Sequence, residues 1–326
     1  MGHRVLVAAD GAALERLRGQ FDGIEWLRLP SYRVRYSAGR SQLWPMLWVA
    51  LRLPLCNMLE HMWLCRFVRR HAVDMVLSDN RYGLWSRRCT CVCITHQLRV
   101  LPPPPFGWAE GMVAAMLRRW LRRFSAVWMP DHEGSPLAGR LSAHNGLPNL
   151  RYIGPLSRFD GLNRAELPEP PCDFDLLVVA SGPEPHRQQL IDGAADLARV
   201  HGLRCLVIEG NQLNGSCLRG DGLVRFVGHL PDAEFAAAVL RARYMLLRGG
   251  YSSIMDMLSL GVSGLLVPTP GQTEQEHLAE HLAHQGLFRA VSQDQLFQLR
   301  TEQLRANRQS PMCGLDLAAV IDGELG

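Results

Sequence analysis

Arg248-Gly249-Gly250-Tyr251-Ser252-Ser253 closes the apolar run ending at Leu246-Leu247, and its residue types suggest anion chemistry. Two glycines leave a backbone that a phosphate can approach closely, and Ser252 or Ser253 stands where a helix N-cap is expected. Ile254, Met257 and Leu258 then recur at helical spacing, and Gly261 sits where a left-handed cap would stop the helix. The first N–H groups of such a helix have no partner inside it and carry the positive end of its dipole. The pattern therefore suits a nucleoside diphosphate. Asp256, one turn further in, is placed to accept from both hydroxyls of a ribose. Ser253-x-x-Asp256 equally fits a capping box, in which the acid only satisfies the N-cap amide. After Pro268-Thr269-Pro270-Gly271, Thr273-x-x-Glu276 fits a second such box, and Gln275 and Glu276 are alternatively candidates for sugar hydroxyls.

Other marked residues fall at the ends of apolar runs. Asp79-Asn80 follows one strand-like segment, His96-Gln97 another and Ser181-Gly182 a third. Ligands of open parallel sheets bind beyond the carboxyl ends of strands, so these residues belong in a cleft. If a hydroxyl displaces a phosphate leaving group in that cleft, a base must take its proton and positive potential must receive charge on the departing phosphate. His96 is the first candidate base because imidazole titrates near neutrality, and Asp79 is its rival. Amides of Tyr251, Ser252 and Ser253, with Arg248, are candidates for the second role. His186 and Arg187 read as surface residues.

The elements that must position these groups alternate. Strands are expected over 5–8, 75–77, 91–95, 176–180, 204–208, 225–227 and 263–267, with helices over 190–200 and 232–241. This implies an α/β chain with doubly wound parallel sheets. Domains are expected at 1–156 and 173–326, joined by a proline-bearing linker over 157–172. Pro102 to Pro105 form a stiff connector. They precede a basic amphipathic helix over 108–124, with Val113, Met116, Leu117, Trp120, Leu121 and Phe124 on one side and Arg118, Arg119, Arg122 and Arg123 largely on the other. That pattern fits either a packed domain helix or contact with a membrane surface. The apolar segment 43–68, with Trp44, Trp48 and Trp63, is interrupted by Arg52, Pro54, Glu60 and His61 and is not expected to span a bilayer.

The segment from Arg248 to Gly261, with the Val267-Pro268-Thr269-Pro270-Gly271 turn and Glu274-Gln275-Glu276 behind it, resembles the donor-binding part of the GT-B glycosyltransferases. The similarity is to the branch of the bacterial peptidoglycan N-acetylglucosaminyltransferase, and closer still to a bacterial subgroup with counterparts of Ser78 to Gly83, Ile94 to Gln97, Tyr152 to Arg158 and Ser181 to Pro185. The resemblance implies two Rossmann-like domains facing across a cleft and an inverting transfer from a UDP-sugar, UDP-N-acetylglucosamine in that branch, to a lipid-linked or envelope glycan. It places the uracil near Phe226, Val227 and Gly228, the ribose on Asp256, the phosphates on Ser252 and Ser253, and the sugar near Gln275 and Glu276. Relatives usually carry Ser where Gly249 stands. The family opens with a strand and a histidine-bearing glycine-rich loop before a segment like residues 2–7, so the resemblance implies an N-terminal domain lacking that first strand, loop and helix.

Composition sets further bounds. With 326 residues and 47% apolar content the chain can bury two cores. It contains no lysine. Residues 1–160 hold 22 Arg against 11 carboxylates, and residues 161–326 hold 13 against 20, so a basic first half adjoins an acidic second half. A basic first half suits an anionic acceptor or membrane face rather than nucleic acid, since no recognised module interleaves aromatic and basic residues. Nine cysteines without a signal-peptide pattern suit a reducing cytosol, peripherally on the inner membrane face. Cys89-x-Cys91-x-Cys93 alternates as a buried strand face does, and neither metal nor cofactor beyond the UDP-sugar substrate is expected. A UDP-sugar epimerase and a non-catalytic nucleotide-sugar binder are the alternative functions.

Overall fold

The structure is a computed structural model describing residues 3–11, 14, 18, 23–30, 43–103, 106–134, 136–143, 146–211, 215–220, 222–312 and 314–325; side chains of 43–51, 297 and 325 lie outside that set. Gly2, Pro104 and Pro105 of the sequence motifs, and the Trp44 and Trp48 side chains, therefore fall outside the described residues.

Strands β1 (Leu6–Ala9) and β2 (Glu25–Arg28) pair with each other in parallel and share no ladder with the sheet that follows. Helix α1 (Leu43–Arg70) leads to a four-stranded parallel sheet in sequential order, β3 (Met75–Asp79), β4 (Thr90–Ile94), β5 (Ala126–Met129) and β6 (Leu150–Tyr152). The register sets Asp79 opposite Ile94 and Ile94 opposite Trp128, so the loops bearing Asn80, His96 and Pro130 leave the sheet side by side. Cys91 and Cys93 are buried on β4, as their alternation implies. Between β4 and β5, the 3-10 turn Phe106–Ala109 feeds helix α2 (Glu110–Leu121). Leu117, Trp120, Leu121 and Phe124 pack this helix onto the sheet, while Arg118, Arg119, Arg122 and Arg123 are exposed. Among the described residues no helix is long and apolar enough to cross a membrane.

The second sheet has seven strands. In chain order they are β7 (Leu176–Val179), β8 (Cys205–Ile208), β9 (Arg219–Gly220), β10 (Val224–Val227), β11 (Tyr244–Leu247), β13 (Leu265–Leu266) and β14 (Arg289–Ala290), and across the sheet they run β14-β13-β11-β7-β8-β10-β9. Only β9 is antiparallel among the described strands of this sheet. Helices α3 (His186–Val200), α4 (Asp232–Arg241), α5 (Tyr251–Ser259) and α6 (Thr273–His284) cover it. The single strand expected over 263–267 divides at Gly264: β12 (Val262–Ser263) pairs with β15 (Asn307–Arg308), and β13 joins the main sheet. A Cβ at Gly264 would lie 2.8 Å from the Met245 carbonyl oxygen, so close packing on β11 fixes a glycine there.

Apolar packing is among the contacts that join the halves. Leu137, Ala138 and Leu141, from the loop after β5, belong to the same buried cluster as Tyr251, Leu278 and Leu282. Helix α7 (Leu317–Leu325) returns to the first sheet, where Val320 and Ile321 pack on Val92 and Trp128, and Glu324 pairs with Arg151 at 2.5 Å. The last helix of the expected 173–326 stretch thus packs its apolar face on the first sheet.

Candidate functional site

In the second sheet the chain runs from β7 outward to β8 and β10, then crosses back to β11. The topological switch therefore lies between β7 and β11, where following loops diverge and leave a crevice. The two loops there are 181–185 and 248–250. A third, after β13, stands beside them, with Thr269 Oγ1 3.6 Å from where a Cβ of Gly182 would be.

Gly250, not Ser252 or Ser253, is the N-cap of α5, and no side chain caps it. Tyr251 draws the helix start forward: its ring is buried and its hydroxyl donates to the Pro130 carbonyl at 2.8 Å. Ile254 makes the first helical bond, to Gly250, and the N–H groups of Tyr251, Ser252 and Ser253 have no acceptor among the described residues. Three aligned donors at a helix N-terminus, without a side chain across them, can hold a diphosphate.

Asp256 does not close a capping box with Ser253. Its Oδ1 accepts from Ser157 Oγ at 2.8 Å and its Oδ2 from Arg158 Nε at 3.1 Å. Burial raises its carboxyl above the usual range, against the lowering effect of Arg158 and Ser157. Arg158 also donates to Asp232 at 2.7 Å and lies over the Phe159 and Phe235 rings. The linker is thereby fastened to α4 and α5.

The second capping box is also replaced. Thr273 donates to the Leu101 carbonyl at 2.7 Å, and Gln272 is the N-cap of α6. Glu276 accepts from the Gly271 amide and Gln275 from the Thr269 amide, both at 2.9 Å. Gln275 and Glu276 therefore shape the loop that faces Gly249, whose Cβ position is 3.3 Å from the Gln275 carbonyl oxygen.

Arg248, a candidate for receiving charge on the departing phosphate, lies inside the protein. It is 1% exposed and donates to the carbonyls of Val267, Pro268 and His186 and to Gln293 Oε1. Desolvation lowers its pKa to about 10. Its charge sits in the wall behind the glycines, where both Nη groups donate to carbonyl oxygens and Nε has no partner among the described residues. His186 is likewise not a surface residue: it is buried, and neither ring nitrogen has a partner among the described residues. Arg187 pairs with Glu184, whose other oxygen accepts the Gln188 amide and caps α3.

Phe226 and Val227 lie on β10, on the far side of β7 from β11. The Val227 carbonyl accepts from Glu209, and Gly228 donates to Gly215 and accepts from Asn211. A base docking there meets peptide groups already bonded within the chain.

Across the crevice, Asn80 adopts φ 53° and its Oδ1 accepts from Thr95 and Tyr82, which fixes the ends of β3 and β4. Asp79 ends β3. Desolvation raises its carboxyl pKa, with His96 and Arg81 opposing that rise. A raised carboxylate pKa makes a stronger base. His96 reaches over to the second sheet's helices: its ring stacks on Tyr251 with centroids 4.7 Å apart, and its Nε2 is 2.8 Å from Glu274 Oε1. Glu274 was not singled out in the sequence, since its partner lies 178 positions away.

The structure thus gathers His96, Tyr251 and Glu274 at one place, and Ser181, Gly182 and Gly250 along the switch-point loops, with Ser252 and Ser253 in the first turn of α5. Comparison with known proteins fits this arrangement. Residues 232–312 match the glycosyltransferase family 28 C-terminal domain. No curated protein matches the chain by sequence. Among solved structures, the glycotransferase of kitacinnamycin is 16% identical with a TM-score of 0.59, over 93% of this chain and 81% of that one. Acinetobacter baumannii MurG is 14% identical with a TM-score of 0.52, over 93% and 82%. The spinosyn rhamnosyltransferase SpnG, complexed with thymidine diphosphate, is 16% identical with a TM-score of 0.54, over 99% and 85%. The chain therefore has the GT-B fold, and the stretch that matches the family 28 C-terminal domain, residues 232–312, forms the α4-to-α6 side of the crevice.

Proposed function

We propose that this chain is a glycosyltransferase that moves a sugar from a UDP-sugar, UDP-N-acetylglucosamine being the first donor to test, to a hydroxyl of a lipid-linked or envelope glycan. The observation that carries the reading is the unpartnered amide row of Tyr251, Ser252 and Ser253 at the switch point, opposite His96 and Asp79. In this reading the diphosphate lies on that row, with Ser181 and Gly182 on its other side. The ribose meets Asp256, the sugar meets Gln275 and Glu276, and the uracil packs near Phe226 and Val227. Backbone donors and the buried Arg248 charge supply positive potential for the leaving diphosphate, so the reading requires no metal. His96 or Asp79 takes the acceptor proton, and the anomeric centre inverts.

Calorimetry tests the donor half. Saturable binding of UDP, with uridine at least tenfold weaker, is expected because the phosphates carry the helix-terminus contact, on the order of 1–2 kcal/mol or more. Equal affinity for the two would remove it.

The acceptor half includes peripheral contact with the cytoplasmic face of a membrane. Trp108 is 75% exposed and Met112 64%, beside the exposed arginines 118, 119, 122 and 123 of α2. Basic residues near an anionic bilayer contribute about 1 kcal/mol each. Sedimentation with phosphatidylglycerol liposomes should weaken about tenfold or more when all four arginines become glutamine. Equal sedimentation of both proteins would delete the membrane from the proposal.

A further inference from the structure

The donor reading leaves His96 and Asp79 as rival bases and gives Glu274 no task. Glu274 lies in the first turn of α6, and its carboxylate is 2.8 Å from His96 Nε2, joining a side chain from the end of β4 to one from the opposite side of the crevice. The imidazole is held on a second side by Tyr251, at an interplanar angle of 12°, and Tyr251 is itself tied to the Pro130 carbonyl. Helix α6 is fixed against the first half at two further points, Thr273 to the Leu101 carbonyl at 2.7 Å and His281 to the Pro136 carbonyl at 3.0 Å. Asp79 on β3 couples electrostatically to His96, and Tyr82 in the turn after it couples to Glu274.

We propose that Glu274 is the positioning residue of a base assembled across the crevice: His96 Nε2–H donates to Glu274, and Nδ1 keeps the lone pair that takes the acceptor proton. The inference rests on the donor reading above. A carboxylate on one imidazole nitrogen fixes ring and tautomer and stabilises the imidazolium formed in the step. The hydroxyl proton passes to Nδ1, its oxygen bonds to the anomeric carbon, and the bond from that carbon to the phosphate oxygen breaks with its electron pair leaving on the diphosphate.

The test uses the full chain and UDP-N-acetylglucosamine, with water or a simple alcohol as acceptor, and follows UDP release beside calorimetric UDP binding. Glu274→Gln should lower kcat about 10- to 100-fold with KM and UDP affinity within about twofold, and His96→Gln about 10²- to 10⁴-fold. The double variant should be no slower than His96→Gln, because residues acting as a unit are not additive. A raised KM at unchanged kcat would make Glu274 a sugar ligand and overturn the proposal. So would multiplying losses in the double variant, or turnover retained by His96→Gln, which would pass the base to Asp79. Wild type that binds UDP but releases none from the sugar nucleotide overturns the pair as catalytic. Failure to bind UDP at all overturns the donor reading instead.

Discussion

Asp256→Asn should weaken UDP binding roughly 30- to 150-fold while leaving the melting temperature at pH 7 unchanged or higher. The binding loss follows from removing a charged acceptor of two ribose hydroxyls, about 2–3 kcal/mol in total. The stability half follows from the carboxyl itself. Its pKa is raised in the fold, mainly by burial, even with Arg158 and Ser157 donating to it. A carboxyl raised above its unfolded value of 3.8 makes the folded state bind more protons than the unfolded one. Stability is then lost as pH climbs from 3.8 through the folded value, and the penalty persists at pH 7. Asparagine is neutral, keeps an acceptor for Arg158 and turns its amide toward the Ser157 hydroxyl, which can accept. Melting curves at pH 7 and pH 4, beside calorimetry, separate the two effects, and the stability gap should narrow toward the lower pH. A marked loss of stability with UDP affinity intact would make Asp256 a linker clasp and nothing more.

Asp131→Ala should lower the melting temperature by roughly 10 °C. Asp131 is fully buried just after β5, where its oxygens accept from the amides of His132, Leu137 and Ala138 and from Ser142 Oγ at 2.5–3.0 Å. Alanine leaves those donors buried without an acceptor. Losing one partner of a buried charged network costs about 3–5 kcal/mol, and each kcal/mol moves the midpoint by about 2–4 °C at this domain size. The same loop carries Leu137, Ala138 and Leu141 into the cluster around α6, so UDP-dependent protection against heating should shrink as well. Asp131→Asn keeps one acceptor oxygen and sets an amide against the remaining donors, so it should fall between alanine and wild type. Scanning calorimetry of the three proteins decides: coincident midpoints would mean the loop is held by its apolar contacts alone.

The fold was legible wherever the signal is local. Apolar runs ending in Asp79, Thr95, Ala180 and Leu247, spaced by helical periods, are sufficient to anticipate two parallel sheets with functional loops at their carboxyl ends. The amphipathic pattern of α2 likewise states in advance which side packs inward. Local grammar fails where distant packing outbids it. Ser253 and Asp256 have capping-box spacing, yet Ser157 and Arg158, 99 and 98 positions away, take the carboxylate. Thr273 has the same spacing to Glu276, but its hydroxyl goes to Leu101, 172 positions away. Tyr251 starts its helix earlier than the serines suggest because its ring belongs in the core between the two halves. Arg248 reads as a candidate for the phosphate charge, and only the converging carbonyls of Val267, Pro268 and His186 show it turned inward. Glu274 acquires meaning from His96 alone. The candidate residues were thus readable as types, and their partners were not.

The central claim is that the peptide amides at the start of α5 receive the diphosphate, and backbone NMR of the full chain titrated with UDP and then with uridine tests it most directly. The account predicts that the amide resonances of Tyr251, Ser252 and Ser253 shift strongly and saturably with UDP and little with uridine. Saturation by UDP that moves other amides while these three stay in place would contradict it.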